Sequence, residues 1–442
     1  MLDHWLPALM FPALFLLVFL GIPVAFSLIV IAMVFGYAFF GDMIGVQAFR
    51  FLDSVASTYI LAAIPLFIFM GAMLERSGIA ERLYRTMRLW LGGLPGGLGL
   101  ATIAMCAIFA AGTGIVGAVE ALVGLMAIPA MMKMNYDKGL ITGTICAGGS
   151  LGTIIPPSIV AVIYANAAQI SIGKAMAGII LPGLLMVLLF LGYILIRCLI
   201  QPSAGPPISA DEEGGRPPMR KLLVMTAEAL LPALLLVLAV VGSILAGIAS
   251  PTEAAGLGAV GTVVLAIAYR TFTFKILIEA LKQTISINAM IMLIVVGGTM
   301  FTSIFRANGG ARMVESLVGA IDPSPAGLIV LLLVIVFLLG CVLEWVSVVL
   351  ICVPIFVPLL RMAGVDPLWF GIMMIVVIQT SYLTPPMAPA IFYLRAISPP
   401  EITYADMYRG VVPFVICQLV VLLAVALIPG LATWLPEQLV GF

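Results

Sequence analysis

Gly112, Gly114 and Gly117 form a G-x-G-x-x-G within AGTGIVGAVEALVG, and Asp137 follows twenty residues after the last glycine. In a soluble βαβ unit this spacing lets backbone approach a pyrophosphate at a helix N-terminus while the acid takes a ribose hydroxyl. The motif has that meaning only with a strand before it and a helix after it. Here LATIAMCAIFA precedes it, an apolar run without the alternation of a half-buried strand. A hairpin tip whose carbonyls meet an ion, with Thr113 as an added acceptor, suits these glycines better than a nucleotide site, and close small-residue packing between helices is the other reading.

Two proline pairs can do related chemistry: Pro156-Pro157 in GTIIPPS and Pro385-Pro386 in YLTPPMAP. Proline removes a backbone donor and frees carbonyl oxygens, which in apolar surroundings need another partner. A hard cation such as Na⁺ is one, and the Thr384 hydroxyl lies beside the second pair. Glu120, Glu344 and Glu253 stand in or beside apolar runs, where ionisable groups are costly and are functional by default. Glu253, in SPTEAA, instead suits a helix cap.

The missing chemistry narrows the field. His4 is the only histidine, which removes histidine metal sites and Ser-His or Cys-His nucleophile pairs. The six cysteines include no C-x-x-C pair. No G-x-x-x-x-G-K-[ST] is present to hold ATP, and a formal net charge of zero gives no basic surface for nucleic acid.

What must position these residues is a set of membrane helices. Of 442 residues, 63% are apolar and 9% charged, against about 25% charged in a soluble domain. Apolar runs long enough to cross a hydrocarbon core of about 30 Å recur throughout. The first 40 residues are too long and too evenly apolar for a signal peptide and read as membrane segments divided at Gly21-Ile22-Pro23. The one clearly aqueous stretch, residues 201–221, reads as a linker between two halves.

Those halves are related. Pro129 recurs as Pro358, Asp137 as Asp366, Pro156-Pro157 as Pro385-Pro386 and Tyr164 as Tyr393, all at an offset of 229. Each half holds an apolar stretch with a polar or glycine-rich centre (97–132 and 326–360), a short loop carrying the shared Asp, and a long apolar segment broken at the proline pair. The first element suits a re-entrant hairpin and the second a transmembrane helix broken midway. Asp137 and Asp366 suit helix starts. With the hairpins returning to the face they left, fifteen Lys and Arg fall on one side and five on the other, which makes the first side cytoplasmic. The hairpins then open to opposite faces. The fold class is an all-α polytopic membrane protein with two inverted repeats, each holding a re-entrant hairpin and a broken transmembrane helix.

AGTGIVGAVEALVGLMAIPAMMKMNYDKGLITGTICAGGSLGTIIPPSIV, GIASPTEAAGLGAV and LTPPMAPAIFYLRAISPPEITYADMYRGVVPF together closely resemble the large membrane subunit of tripartite ATP-independent periplasmic (TRAP) transporters. The resemblance implies an elevator-type, Na⁺-driven importer in the bacterial inner membrane. It would take a small organic anion, usually a carboxylate, from a periplasmic binding protein, alongside a small four-helix membrane subunit. No cofactor is implied beyond Na⁺ as coupling ion. Carried onto this sequence, the first hairpin tip corresponds to Gly112, Thr113 and Gly114, the broken helices to Gly152–Ser158 and Thr384–Pro386, and the second tip to Gly340–Ser347. Candidate Na⁺ positions are therefore Gly112, Thr113, Gly114, Gly152, Pro156, Gly340, Thr384 and Pro385. Candidate substrate positions are Pro157, Ser158, Ser347 and Pro386, with Glu120 and Glu344 as coupling carboxylates.

The corresponding division is scaffold at 1–96, first repeat at 97–168, scaffold at 169–325 with the linker at 199–222, second repeat at 326–395, and a C-terminal helix at 396–442. The alternatives are an elevator-type transporter working without a binding protein, a passive channel, an ABC-type permease, and an intramembrane enzyme, for which neither a histidine dyad nor a paired-aspartate signature is present.

Overall fold

A computed structural model describes residues 6–113, 116–208, 218–321 and 323–439. Gly114 lies outside the described residues, as does the side chain of Thr113. Among the described residues the regular structure is helical, with no strand. The G-x-G-x-x-G accordingly joins two helices, and the dinucleotide reading has no βαβ unit to stand on.

The chain opens with α1 (Leu6–Phe19) and α2 (Val24–Phe40), separated where Gly21 turns at φ 86°. Then follow α3 (Ile44–Ala56), α4 (Ala63–Arg76) and α5 (Ile79–Leu91). The first repeat contains α6 (Gly97–Thr113), α7 (Val116–Lys133), α8 (Lys138–Ser150) and α9 (Ile159–Ala168). Next come α10 (Ile172–Gly178), α11 (Ile180–Ile200), α12 (Met219–Leu245), α13 (Pro251–Ala268), α14 (Phe274–Ala307) and α15 (Gly310–Ile321). The second repeat is α16 (Pro325–Gly340), α17 (Trp345–Met362), α18 (Pro367–Leu383) and α19 (Pro389–Ile397). Residues 396–442 hold two helices, α20 (Tyr404–Leu427) and α21 (Gly430–Leu439), where the sequence suggested one.

The 229-residue offset reappears in the helix bounds. Adding it to Val116 and Lys133 of α7 gives Trp345 and Met362 of α17, and adding it to Lys138 and Ala168 gives the first residue of α18 and the last of α19. The shared aspartates do the same work: Asp137 accepts a hydrogen bond from the Leu140 N–H at 2.9 Å, and Asp366 from the Leu368 N–H at 2.9 Å. Each side chain satisfies a helix donor that would otherwise be orphaned.

Among the described residues, eight helical stretches are long and apolar enough to cross a membrane. The halves of the broken segments are not: α8 has 13 residues and α9 has 10, about 20 and 15 Å at 1.5 Å per residue. These short pieces form the centre. Every residue of α8 from Leu140 to Ser150 is buried, and every residue of α18 from Phe370 to Leu383. The outer helices turn large apolar side chains outward, including Leu188 and Ile196 on α11 and Leu235 and Leu238 on α12. In water such surfaces would aggregate, and in a bilayer they meet lipid.

Apolar runs do not announce α3, α5 and α15. Each carries charges, such as Arg82, Glu81 and Arg85 on α5 or Arg312 and Glu315 on α15, on a helix otherwise apolar along one side. Glu253 forms a capping box with Ser250: its carboxylate accepts the Ser250 N–H at 2.7 Å and the Ser250 hydroxyl accepts the Glu253 N–H at 3.3 Å.

Candidate ion and substrate site at two broken helices

Both proline pairs end one helix and begin another, and both contain a cis peptide bond. In the first repeat α8 closes in a 3-10 turn over Leu151–Thr153, which holds Gly152, and α9 restarts after Ser158. Local hydroxyls absorb the freed backbone groups. The Ser158 hydroxyl donates to the Thr153 carbonyl at 2.5 Å and accepts the Ala161 N–H at 3.4 Å, while the Thr153 hydroxyl donates to the Ser150 carbonyl at 2.9 Å. Gly152, Pro156, Pro157 and Ser158 are all buried.

The second break has the same plan and a different exposure. The Thr384 hydroxyl donates to the Thr380 carbonyl at 2.8 Å, which leaves its oxygen lone pairs free to accept or to ligate. Ala388, in the left-handed region at φ 41°, turns the chain into Pro389 at the start of α19. Thr384 is half-buried, and Pro385, Pro386 and Met387 are exposed. One break is covered and the other is exposed.

Packing crosses between the repeats. The second arm of hairpin 1, α7, lies against α19, while the second arm of hairpin 2, α17, lies against α9. Each broken helix thus meets the other repeat's hairpin. Gly117 makes room for the aromatic ring of Tyr393, whose carbons would stand 3.1 Å from an added Cβ. Here the third glycine of the G-x-G-x-x-G has a physical use unrelated to phosphate.

Hairpin 1's tip, at Gly112, packs on Leu74 of α4, whereas Gly340 at the end of α16 packs on Ser381 of α18. Ser347, in the first turn of α17, is fully buried, and its hydroxyl has no hydrogen-bond partner among the described residues. Glu344 occupies the N-cap position of α17 without making a side-chain cap bond. Among the described residues no group of three or more His, Cys, Asp or Glu is arranged to hold a metal.

Glu120 is fully buried on α7, and neither carboxylate oxygen has a hydrogen-bond partner among the described residues. It lies against Gly149 of α8, where an added Cβ would come within 2.9 Å of Oε1. At the matching place in the second repeat, 229 residues on, stand Val349 and Ile378, both buried. Glu120 and Glu344 both lie within electrostatic range of Tyr382 and Tyr393, so the two hairpins bring their acids toward the second break.

The polar centre between the repeats went unnoticed in the sequence. Gln379 donates from Nε2 to the Ser150 hydroxyl at 2.9 Å, and Gln418 of α20 reaches the same oxygen at 3.4 Å. A lone Ser or Gln in an apolar run carries little signal, but the spacing of Ser150 and Gln379 by the repeat offset would have marked them.

Two solved structures share this architecture: the YdaH transporter of Alcanivorax borkumensis, with a TM-score of 0.61 and 16% identity over 88% of each chain, and MtrF of Neisseria gonorrhoeae, with a TM-score of 0.61 and 15% identity over 87% of this chain and 83% of that one. At such identity they speak for the fold alone. Among sequence relatives, the C4-dicarboxylate TRAP transporter large permease protein DctM of Pseudomonas aeruginosa is 31% identical over 88% of each chain. The sialic acid TRAP transporter large permease protein SiaM of Vibrio cholerae is 29% identical over 96% of this chain and 97% of its own length. The family described as tripartite ATP-independent periplasmic transporter, DctM component, matches residues 11–431. The chain belongs to that family and is a multi-pass inner-membrane transport subunit, not an enzyme.

Proposed function

We propose that this subunit imports a small organic anion, with a carboxylate as its recognition group, by coupling uptake to an inward Na⁺ gradient. The observation that carries the reading is the pair of helix breaks at matching positions, one buried and one exposed. Paired breaks of this kind gather carbonyl oxygens and helix ends where a cation and an anionic substrate can be held together. Gly112, Thr113 and Gly114 with the Gly152–Pro156 turn form one ion site in this reading, and Gly340 with Thr384 and Pro385 form the other. Ser158, Ser347, Pro157 and Pro386 line the substrate position between them.

The repeats at 97–168 and 326–395 move together against the remaining helices, and the fifteen-to-five division of Lys and Arg supports an inverted arrangement of the two. A periplasmic binding protein delivers the substrate, and a small four-helix membrane subunit accompanies this chain. Relatives named for C4-dicarboxylate and for sialic acid support an acidic substrate. Glu120 and Glu344 act as coupling carboxylates; for Glu120 the support is that a buried carboxyl without a partner is stable only when neutral or holding a cation.

Reconstituted with its membrane and binding-protein partners in vesicles, the chain should accumulate substrate only under an inward Na⁺ gradient and without ATP. Undiminished uptake with Na⁺ absent from both sides would sink the coupling reading. Uptake independent of the binding protein would favour a self-sufficient elevator transporter.

A further inference from the structure

A second polar cavity lies away from both breaks. It has a volume of about 310 Å³ and is walled on one side by α14 and the segment from Ser54 to Leu61, and on the other by the end of α9 and by α17. Among the described residues its only ionisable lining residue is Arg306, in the last turn of α14. The hydroxyls of Ser54, Thr58, Thr299 and Ser303 share the cavity with the side-chain amides of Asn166 and Gln169. Val295, Leu350 and Pro354 supply apolar surface.

From sequence Arg306 only marks the end of a long apolar helix. In the structure it stands over a cavity that contains no acid to neutralise it, and it makes no ion pair with any described residue. Another cavity, of about 230 Å³, makes the contrast: there Arg197 and Arg409 face Asp137 and Asp406, so the charges balance. A guanidinium with free donors is a planar, bidentate partner for a carboxylate. Hydroxyls and amides around it suit a ligand that also bears hydroxyl or carbonyl groups.

The geometry points to this cavity as an anion-receiving site, in which Arg306 takes the carboxylate of a small hydroxylated or oxo acid before it reaches the helix breaks. The walls give the site a further property. The Thr302 hydroxyl, on α14, donates to the Leu350 carbonyl, on α17, at 3.0 Å, so this seam joins one proposed fixed helix to one proposed moving helix. Displacement of α17 and α9 along α14 would separate Arg306 from Asn166 and Gln169 and release whatever they hold together. The inference rests on the import reading for the route of the ligand, but the binding itself stands apart from Na⁺ coupling.

The test uses the full-length chain in lipid nanodiscs, without a Na⁺ gradient, probed by saturation-transfer NMR with D-gluconate, succinate and the uncharged D-glucitol. Either acid is expected to bind the wild type and D-glucitol to give no signal. Arg306→Gln should weaken the acid at least tenfold, and Arg306→Lys should restore part of the loss because it keeps the charge without the planar fork. Arg306 is exposed, so neither variant burdens folding. Failure of both acids to bind the wild type, or equal binding to Arg306→Gln, overturns the proposal. Arg306-dependent binding alongside Na⁺-independent uptake would uphold this site and fault only the coupling reading.

Discussion

The side-chain amide of Gln379 donates to the hydroxyl of Ser150 at 2.9 Å, and the two residues are separated by 229 positions, the offset of the repeat. Residues that are counterparts under a rotation meet only near its axis. A contact of this kind, between the end of α8 and α18, is what a two-fold relation between the repeats would produce. Ser150→Ala should strand the buried amides of Gln379 and Gln418 and lower stability by about 1–3 kcal/mol, the cost of an unsatisfied buried donor. Thermal unfolding of the solubilised protein measures this, and a loss within error would mean that the pair contributes little.

The unlike residues at offset-related positions, Glu120 and Gly149 in one repeat and Val349 and Ile378 in the other, allow a swap. Gly149→Ile alone forces a branched side chain onto the Glu120 carboxylate and should cost about 1–3 kcal/mol by overpacking. Adding Glu120→Val recreates the second repeat's pair and should recover most of that loss while abolishing coupled uptake. A double-mutant cycle on melting temperature reads the first effect and vesicle uptake the second. Full uptake by the double variant would remove Glu120 from the transport mechanism.

Thr384 offers lone pairs toward the second break while its proton is engaged by Thr380. Thr384→Val should leave the protein folded and raise the Na⁺ concentration for half-maximal uptake about tenfold, as expected for one net contact worth about 1–1.5 kcal/mol. Thr113→Val probes the first site in the same way. Unchanged Na⁺ dependence in both would leave only backbone oxygens as ligands.

The inverted arrangement is open to direct labelling. Cysteines introduced at two exposed positions, Pro400→Cys and Arg312→Cys, should react with an impermeant reagent from the cytoplasmic and the outer face respectively. Labelling of both from one side would refute the inversion.

The sequence carried the break positions because proline is scarce enough in an apolar chain for Pro156-Pro157 and Pro385-Pro386 to stand out at one spacing. It marked where α6 gives way to α7 and α16 to α17, because a polar or glycine-rich centre interrupts each apolar stretch. The amphipathic helices were hidden by their charges, and the Ser150–Gln379–Gln418 centre by the weak signal of isolated polar residues. Helices such as α18, buried on all sides, have no polar face to reveal which residues point inward. Exposure was also beyond reach: the two proline pairs look alike in sequence, yet one is covered and the other is not.

The mismatch between Glu120 with Gly149 and Val349 with Ile378 has a consequence for the empty carrier. Two interchangeable halves related by a two-fold would make its inward-facing and outward-facing states mirror each other in energy, with no preferred resting side. A carboxyl at this position in one half, where the other half has Val349, removes that degeneracy. The unloaded subunit would then dwell on one side of the membrane, waiting for cargo from a fixed direction.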